Sequence, residues 1–164
     1  MSITYDKIKL NAKAEQYCER NNTTVTQELG YGTQGVVFKT AHNTAIKAYD
    51  LAEGYHREVN IYKRLKERNI QSIRGLNIPR VVNWDDELYI FEMSIVHVPC
   101  VLDFGGAYLD AQPDHMVRDE IWFSQKQEEF GNNWEEAQAV IRELEYRAGI
   151  WLSDVNTGNI KFAS

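Results

Sequence analysis

An α+β fold, with an antiparallel sheet of five strands in the N-terminal half and a shorter helical half after it, is what this sequence predicts, and three observations carry it. Residues 23–49 are rich in Thr, Val, Ile and Phe and are punctuated by Gly30, Gly32, Gly35 and Ala41-His42-Asn43, the composition of three short strands joined by turns. Leu51 to Arg68 carries Val59, Tyr62 and Leu65 at helical intervals with charges between them, and it stops at Asn69, a residue suited to a helix C-terminus. Arg80 to Trp84 and Leu88 to Met93 then read as a strand pair around the turn Asp85-Asp86-Glu87.

The remaining elements follow in order. Tyr5 to Arg20 has Ile8, Ala14, Tyr17 and Cys18 in loosely helical spacing, ended by Asn21-Asn22, and predicts a helix packed on the sheet. Ser94 to Asn132 holds Pro99, Gly105-Gly106 and Pro113 without periodicity before Val117 to Phe123, so it is expected to connect the halves with at most one short helix. Asn133-Trp-Glu-Glu136 has the spacing of a capping box, and Ala137, Ile141, Leu144 and Ala148 form one stripe before Gly149. Ile150 to Leu152 and Ile160 to Phe162 bracket the polar loop Ser153 to Asn159. There is no internal repeat or low-complexity tract.

Bulk properties narrow the function classes. A chain of 164 residues with 43% apolar residues supports one compact unit or two small lobes. A net charge of −6 disfavours nucleic acid and anionic membranes as partners, since both reward clustered Lys and Arg. No apolar run follows the basic residues of the N-terminus, and none is long enough to span a bilayer, so a cytoplasmic protein without membrane association is expected. Cys18 and Cys100 have no metal-ligand spacing and are expected to be free thiols. His42, His56, His97 and His115 are scattered rather than paired at ligand spacing. Asp110, Asp114, Asp119 and Glu120 read as a solvated acidic face, and Trp122, Phe123, Phe130 and Trp134 as core around the last helix.

Four pieces carry chemistry. Gly30, Gly32, Gly35 and Val37 make G-x-G-x-x-G-x-V, and glycines let backbone N–H groups approach anionic oxygens without a Cβ clash. A dinucleotide fold would open a helix here, whereas Val36-Val37-Phe38-Lys39-Thr40 continues as strand. Lys47, flanked by Ala45, Ile46 and Ala48, is expected on a mostly buried strand, where an ammonium requires a partner carboxylate; Glu58, on the helix face of Tyr62 and Leu65, is the candidate. Asp154 and Asn159 complete D-x-x-x-x-N in the polar loop.

In that order, these pieces resemble the protein-kinase superfamily. The resemblance implies a single kinase-like domain over 1–164, with a five-strand N-lobe carrying one helix over 1–93 and a much reduced helical C-lobe over 94–164. It implies ATP under Gly30 to Gly35, phosphates oriented by Lys47 and Glu58, and adenine contacted by the backbone of Phe91 to Ser94, which includes Glu92 and Met93. Asp154 would accept the acceptor's proton, and Asn159 would bind Mg2+ or Mn2+. The Gly158-Asn159-Ile160 ending is also similar to small-molecule phosphotransferases, and Asn156 stands where protein kinases carry Lys and small-molecule kinases His.

Departures matter too. Leu152-Ser153 replaces the His-Arg before the catalytic Asp. Only Ile160 to Ser164 follow Asn159, so the family's metal-binding Asp-Phe-Gly is missing from its usual place; Asp103-Phe104-Gly105 precedes the loop and reads as coincidence, the alternative being that Asp103 lies in the cleft after the inter-lobe connection, near Glu92 and Met93, and supplies a metal ligand. The expectation is therefore a low-activity phosphotransferase, of protein Ser/Thr type in preference to a small-molecule one. The alternative is a pseudokinase acting as a binding or inhibitory module, with a second chain completing its C-lobe.

Overall fold

The structure, a computed structural model, describes residues 3–97 and 101–163, so Cys100 lies outside it. Its elements are α1 (Ile3–Arg20), β1 (Val25–Gly32), β2 (Gly35–Thr40), β3 (Thr44–Tyr49), α2 (Ala52–Glu67), β4 (Ser72–Ile73), β5 (Leu76–Asn77), β6 (Val81–Asp85), β7 (Ile90–Ser94), β8 (Val101–Leu102), β9 (Ala107–Leu109), α3 (Glu120–Phe130), α4 (Trp134–Ala148), β10 (Ile150–Leu152) and β11 (Ile160–Lys161). The chain divides into two compact units, Met1–Val59 with Pro79–Ile95, and Asn60–Ile78 with Val96–Ser164. Among the described residues no helix is long and apolar enough to cross a membrane.

The first unit is the expected antiparallel sheet of five strands, in the order β1-β2-β3-β7-β6. Alternation along β2 and β3 sends Val36, Phe38, Ile46 and Ala48 to one face, where Leu10, Ala14, Tyr17 and Cys18 of α1 close over them. Helix α1 differs from the sequence expectation in one residue: Ile8 is exposed and Leu10 is the buried one. Burial, and after it the nearby Glu92 and Glu15 carboxylates, push the Cys18 thiol up to about 11, which makes it an inert core group. The turn between β6 and β7 is closed by Asp85, whose Oδ1 accepts from the N–H groups of Glu87 and Leu88 at 3.0 and 2.9 Å.

The second unit is more β-rich than the sequence suggests. β11, β8, β5 and β4 form one four-stranded sheet, and β10 pairs with β9 in a second. Of these strands, β10 and β11 coincide with the apolar runs flanking the polar loop, while β4, β5, β8 and β9 are two or three residues long, too short for a period-two pattern to register. β4 and β5 are joined by Arg74 and Gly75, both at positive φ (49° and 80°), the twist required of a two-residue hairpin turn. Helix α4 buries the predicted stripe of Ala137, Ile141, Leu144 and Ala148 and stops at Gly149, left-handed at φ 64°. The predicted capping box at its start does not form. Gly131–Asn133 is a 3-10 turn running straight into α4, so Asn133 is already helical and its side chain makes no cap. The side-chain cap belongs instead to α3, an 11-residue helix where only a short one was expected, through Asp119 Oδ1 accepting from Trp122 N at 2.9 Å.

Candidate functional site

The pieces that carry chemistry fall into two sets, one in each unit. In the first unit, strand register lines up Gly30, Val37, Lys47, Phe91 and Trp84 directly across the five strands. Residues opposite one another across antiparallel strands project from the same face, so Lys47 leaves the face away from α1, beside Val37 and in register with Gly30. Its Nζ donates to Glu58 Oε2 at 2.6 Å. Both partners are withdrawn from water, with side-chain exposures of 15% and 5%. Tyr49, two residues along the strand and hence on the same face, donates its hydroxyl to the same Glu58 oxygen and presents its ring to the ammonium at 5.0 Å. Tyr49 stacks on Phe91 at 6.1 Å and meets Tyr55 edge-on at 6.0 Å, which limits the rotamers open to the whole group. Its position relative to Lys47 was legible as period two.

The glycine loop is a hairpin between β1 and β2 with Thr33 and Gln34 at its tip. Its three glycines are not equivalent. A Cβ on Gly35 would lie 2.0 Å from the Ala48 carbonyl oxygen, so this glycine serves the close packing of β2 on β3. A Cβ on Gly30 or Gly32 would meet nothing within 4 Å, and neither residue has positive φ. Nothing among the described residues requires glycine at those two positions. An open concavity of about 220 Å3 lies against the tip, bounded by Thr33, Gln34, Asp50, Gly54 and Arg57.

Glu92 does not join this set. Alternation along β7 turns its carboxylate to the α1 face, where Tyr17 donates to Oε2 at 2.8 Å and Thr44 donates to Oε1. The backbone of Phe91 to Met93 is paired on both edges, to β3 and to β6, and Ser94 N donates to Arg80 O at 2.9 Å. A ladder so occupied leaves few free backbone groups in Phe91 to Ser94 for a base.

In the second unit, Asp154 and Asn159 meet across the loop that joins β10 to β11. Asn159 Nδ2 donates to Asp154 O at 2.9 Å and to its Oδ2 at 3.1 Å, and Asn156 Nδ2 donates to Oδ1 at 2.9 Å. Asn156 also closes the loop, its own Oδ1 accepting from the N–H groups of Gly158 and Asn159 at 2.8 and 3.0 Å. Two supports were invisible to sequence reading. Arg118 Nη2 donates to Leu152 O at 3.0 Å just ahead of the loop, and Glu129 Oε1 accepts from Thr157 N at 3.0 Å. Neither residue sits at an interval that marks it. Among the described residues, no group of three or more His, Cys, Asp or Glu is arranged to hold a metal ion.

No protein-family model matches this chain, and no curated protein matches it in sequence. Among solved structures, the chain is similar to one described as the streptomycin-ATP-APH(2")-IIa ternary complex, with 15% identity and a TM-score of 0.42. The likeness covers 80% of this chain and 38% of that one.

Proposed function

We propose that this chain is an ATP-binding, kinase-like phosphotransferase, folded as one domain and acting on hydroxyl acceptors of the protein Ser/Thr type. The observation that carries the reading is the Lys47–Glu58 pair, a 2.6 Å contact between a largely buried ammonium and a buried carboxylate, further held by Tyr49. An isolated buried ion pair contributes little net stability, so its persistence suits a cation oriented for an anionic ligand. Gly30 and Gly32, glycines without an internal reason, support a backbone left bare for phosphate oxygens.

On this reading Lys47 neutralises ATP phosphates, and Glu58 with Tyr49 keeps its ammonium in one place. Asp154 takes the proton of the acceptor hydroxyl, and its orientation comes from Asn156 and Asn159. The donor set suits Mg2+ or Mn2+: Asn159 uses Nδ2 within the loop and keeps Oδ1, a hard oxygen ligand, for a metal carried chiefly by the nucleotide phosphates. That metal supplies charge neutralisation at the transferring phosphoryl group.

The test is the unfolding midpoint with and without ATP, in Mg2+ and in chelator, with Lys47→Ala beside wild type. ATP at about a hundred times its dissociation constant adds about 2.7 kcal/mol, several degrees for a domain of this size. A shift lost in Lys47→Ala supports the nucleotide site; no shift under any condition overturns it. Transfer of labelled phosphate abolished in Asp154→Ala supports the enzyme, whereas an ATP shift with no transfer by wild type moves the protein to the pseudokinase reading.

A further inference from the structure

We propose that the second unit carries a binding pocket for a small aromatic carboxylate, one ring with a single anionic group, between the start of α3 and one face of α4. The pocket is open and about 170 Å3, below the size that drug-sized ligands fill and enough for one ring with its carboxylate. Trp134, Gln138, Ile141 and Arg142 form one wall, spaced so that they share a face of α4. Arg118, just before the N-cap of α3, and Trp122 and Phe123 in its first turn form the other. Both walls belong to the second unit. Neither draws on the residues assigned above to nucleotide, metal or acceptor.

The core does not consume these walls. Of the four aromatic residues that the sequence places in the core, Phe130 and Trp134 are buried, whereas Trp122 is half-buried and Phe123 is 40% exposed. Trp122 and Phe123 meet Trp134 at 5.8 and 6.1 Å with interplanar angles of 64° and 65°, an edge-to-face set that one more ring can extend. Charge then selects the ligand. The chain has a net charge of −6, yet the lining holds two guanidinium groups and no carboxylate. Arg118 is fixed in place: Nη1 donates to Glu145 Oε1 at 2.8 Å, Nη2 donates to Leu152 O at 3.0 Å, and the guanidinium lies 5.4 Å from the Trp122 ring. Its buried Nε finds no acceptor among the described residues. Arg142 Nε donates to Gln138 O at 3.3 Å within the helix, and Arg142 makes no ion pair with any described residue. With Arg118 balanced by Glu145, the guanidinium of Arg142 is left to match one carboxylate through its fork of donors. A cation would meet two guanidinium groups, and an uncharged ring would gain nothing from Arg142.

The experiment is fluorine NMR on the whole chain labelled with 5-fluorotryptophan, each signal assigned by a single Trp→Phe variant. Benzoate, benzamide, benzylammonium and cyclohexanecarboxylate are titrated in turn. The expected result is a saturable benzoate-induced shift of the Trp122 and Trp134 signals, larger than any change at Trp84 or Trp151. Benzamide and cyclohexanecarboxylate are expected to bind about tenfold more weakly, and benzylammonium not at all. Arg142→Gln is expected to weaken benzoate about tenfold as well. Arg142 is exposed and makes no ion pair, so the ligand-free unfolding midpoint of that variant is expected to match wild type. No saturable shift at Trp122 and Trp134, or equal benzoate affinity in Arg142→Gln, overturns the proposal. Benzamide or benzylammonium binding as tightly as benzoate overturns the choice of an anion, and cyclohexanecarboxylate doing so overturns the choice of a ring.

Discussion

Glu58 and Glu92 are both buried in the first unit, at 4% and 6% exposure, yet one is met by an ammonium and the other by two hydroxyls. Glu58 receives Lys47 and Tyr49 on the face away from α1; Glu92 receives Tyr17 and Thr44 on the face under α1. The second arrangement solvates a carboxylate and ties a helix to two strands. The first carries a cation that the fold itself does not need, because a phenol alone would have satisfied part of Glu58. On the proposed function, the difference separates a structural polar cluster from a cation oriented for an external anion.

The contrast breaks most visibly at Glu58. Glu58→Ala strands the Lys47 ammonium and is expected to cost about 3–5 kcal/mol in urea unfolding, together with the ATP-induced midpoint shift. A stable variant with its ATP shift intact would place the cation outside the site. Next in size, Gly35→Ala drives a methyl into the Ala48 carbonyl and is expected to cost about 1–3 kcal/mol or more, read the same way. Tyr17→Phe leaves a Glu92 oxygen without its donor, for about 1–3 kcal/mol of stability with ATP affinity unchanged. Loss of ATP affinity in that variant would erase the distinction between the two carboxylates.

Alkaline titration sharpens the same contrast. Burial first, then the hydrogen bond to Glu92, pushes the Tyr17 phenol far above the ordinary tyrosine range; burial first, then Asp86, does so for Tyr55. Cys18 is raised to about 11. Groups with raised folded values hold protons that the unfolded chain releases, so their stabilisation is complete below the ordinary values and is lost as pH climbs past about 9–10. Unfolding midpoints are expected to fall across that range, less steeply in Tyr17→Phe. The smallest effect on stability belongs to Gly30→Ala, within about 0.5 kcal/mol because its Cβ meets open space, while its ATP affinity falls. A Gly30→Ala protein that binds ATP as wild type does would reduce the loop to a plain hairpin.

Legibility followed distance along the chain. The five strands of the first sheet, helix α2 with its stop at Asn69, and the buried stripe of α4 were readable because their signals repeat within a few residues. Lys47 and Glu58 could be matched because a strand and the helix after it leave few partners for a buried ammonium. The capping box misled because a 3-10 turn at Gly131–Asn133 took the cap position, and β4, β5, β8 and β9 were silent because two or three residues hold no period.

Composition and spacing were enough to mark which residues could do chemistry and which local segments were helix or strand, because propensity and periodicity act over a turn or a pleat. Long-range pairing was needed to turn Glu92 toward α1, to make packing demand glycine at Gly35 rather than at Gly30 or Gly32, and to bring the Asp103 N–H to the Asn159 carbonyl. Those outcomes depend on which strands pair and in what register, a choice made by burial and hydrogen bonding between segments far apart in the chain.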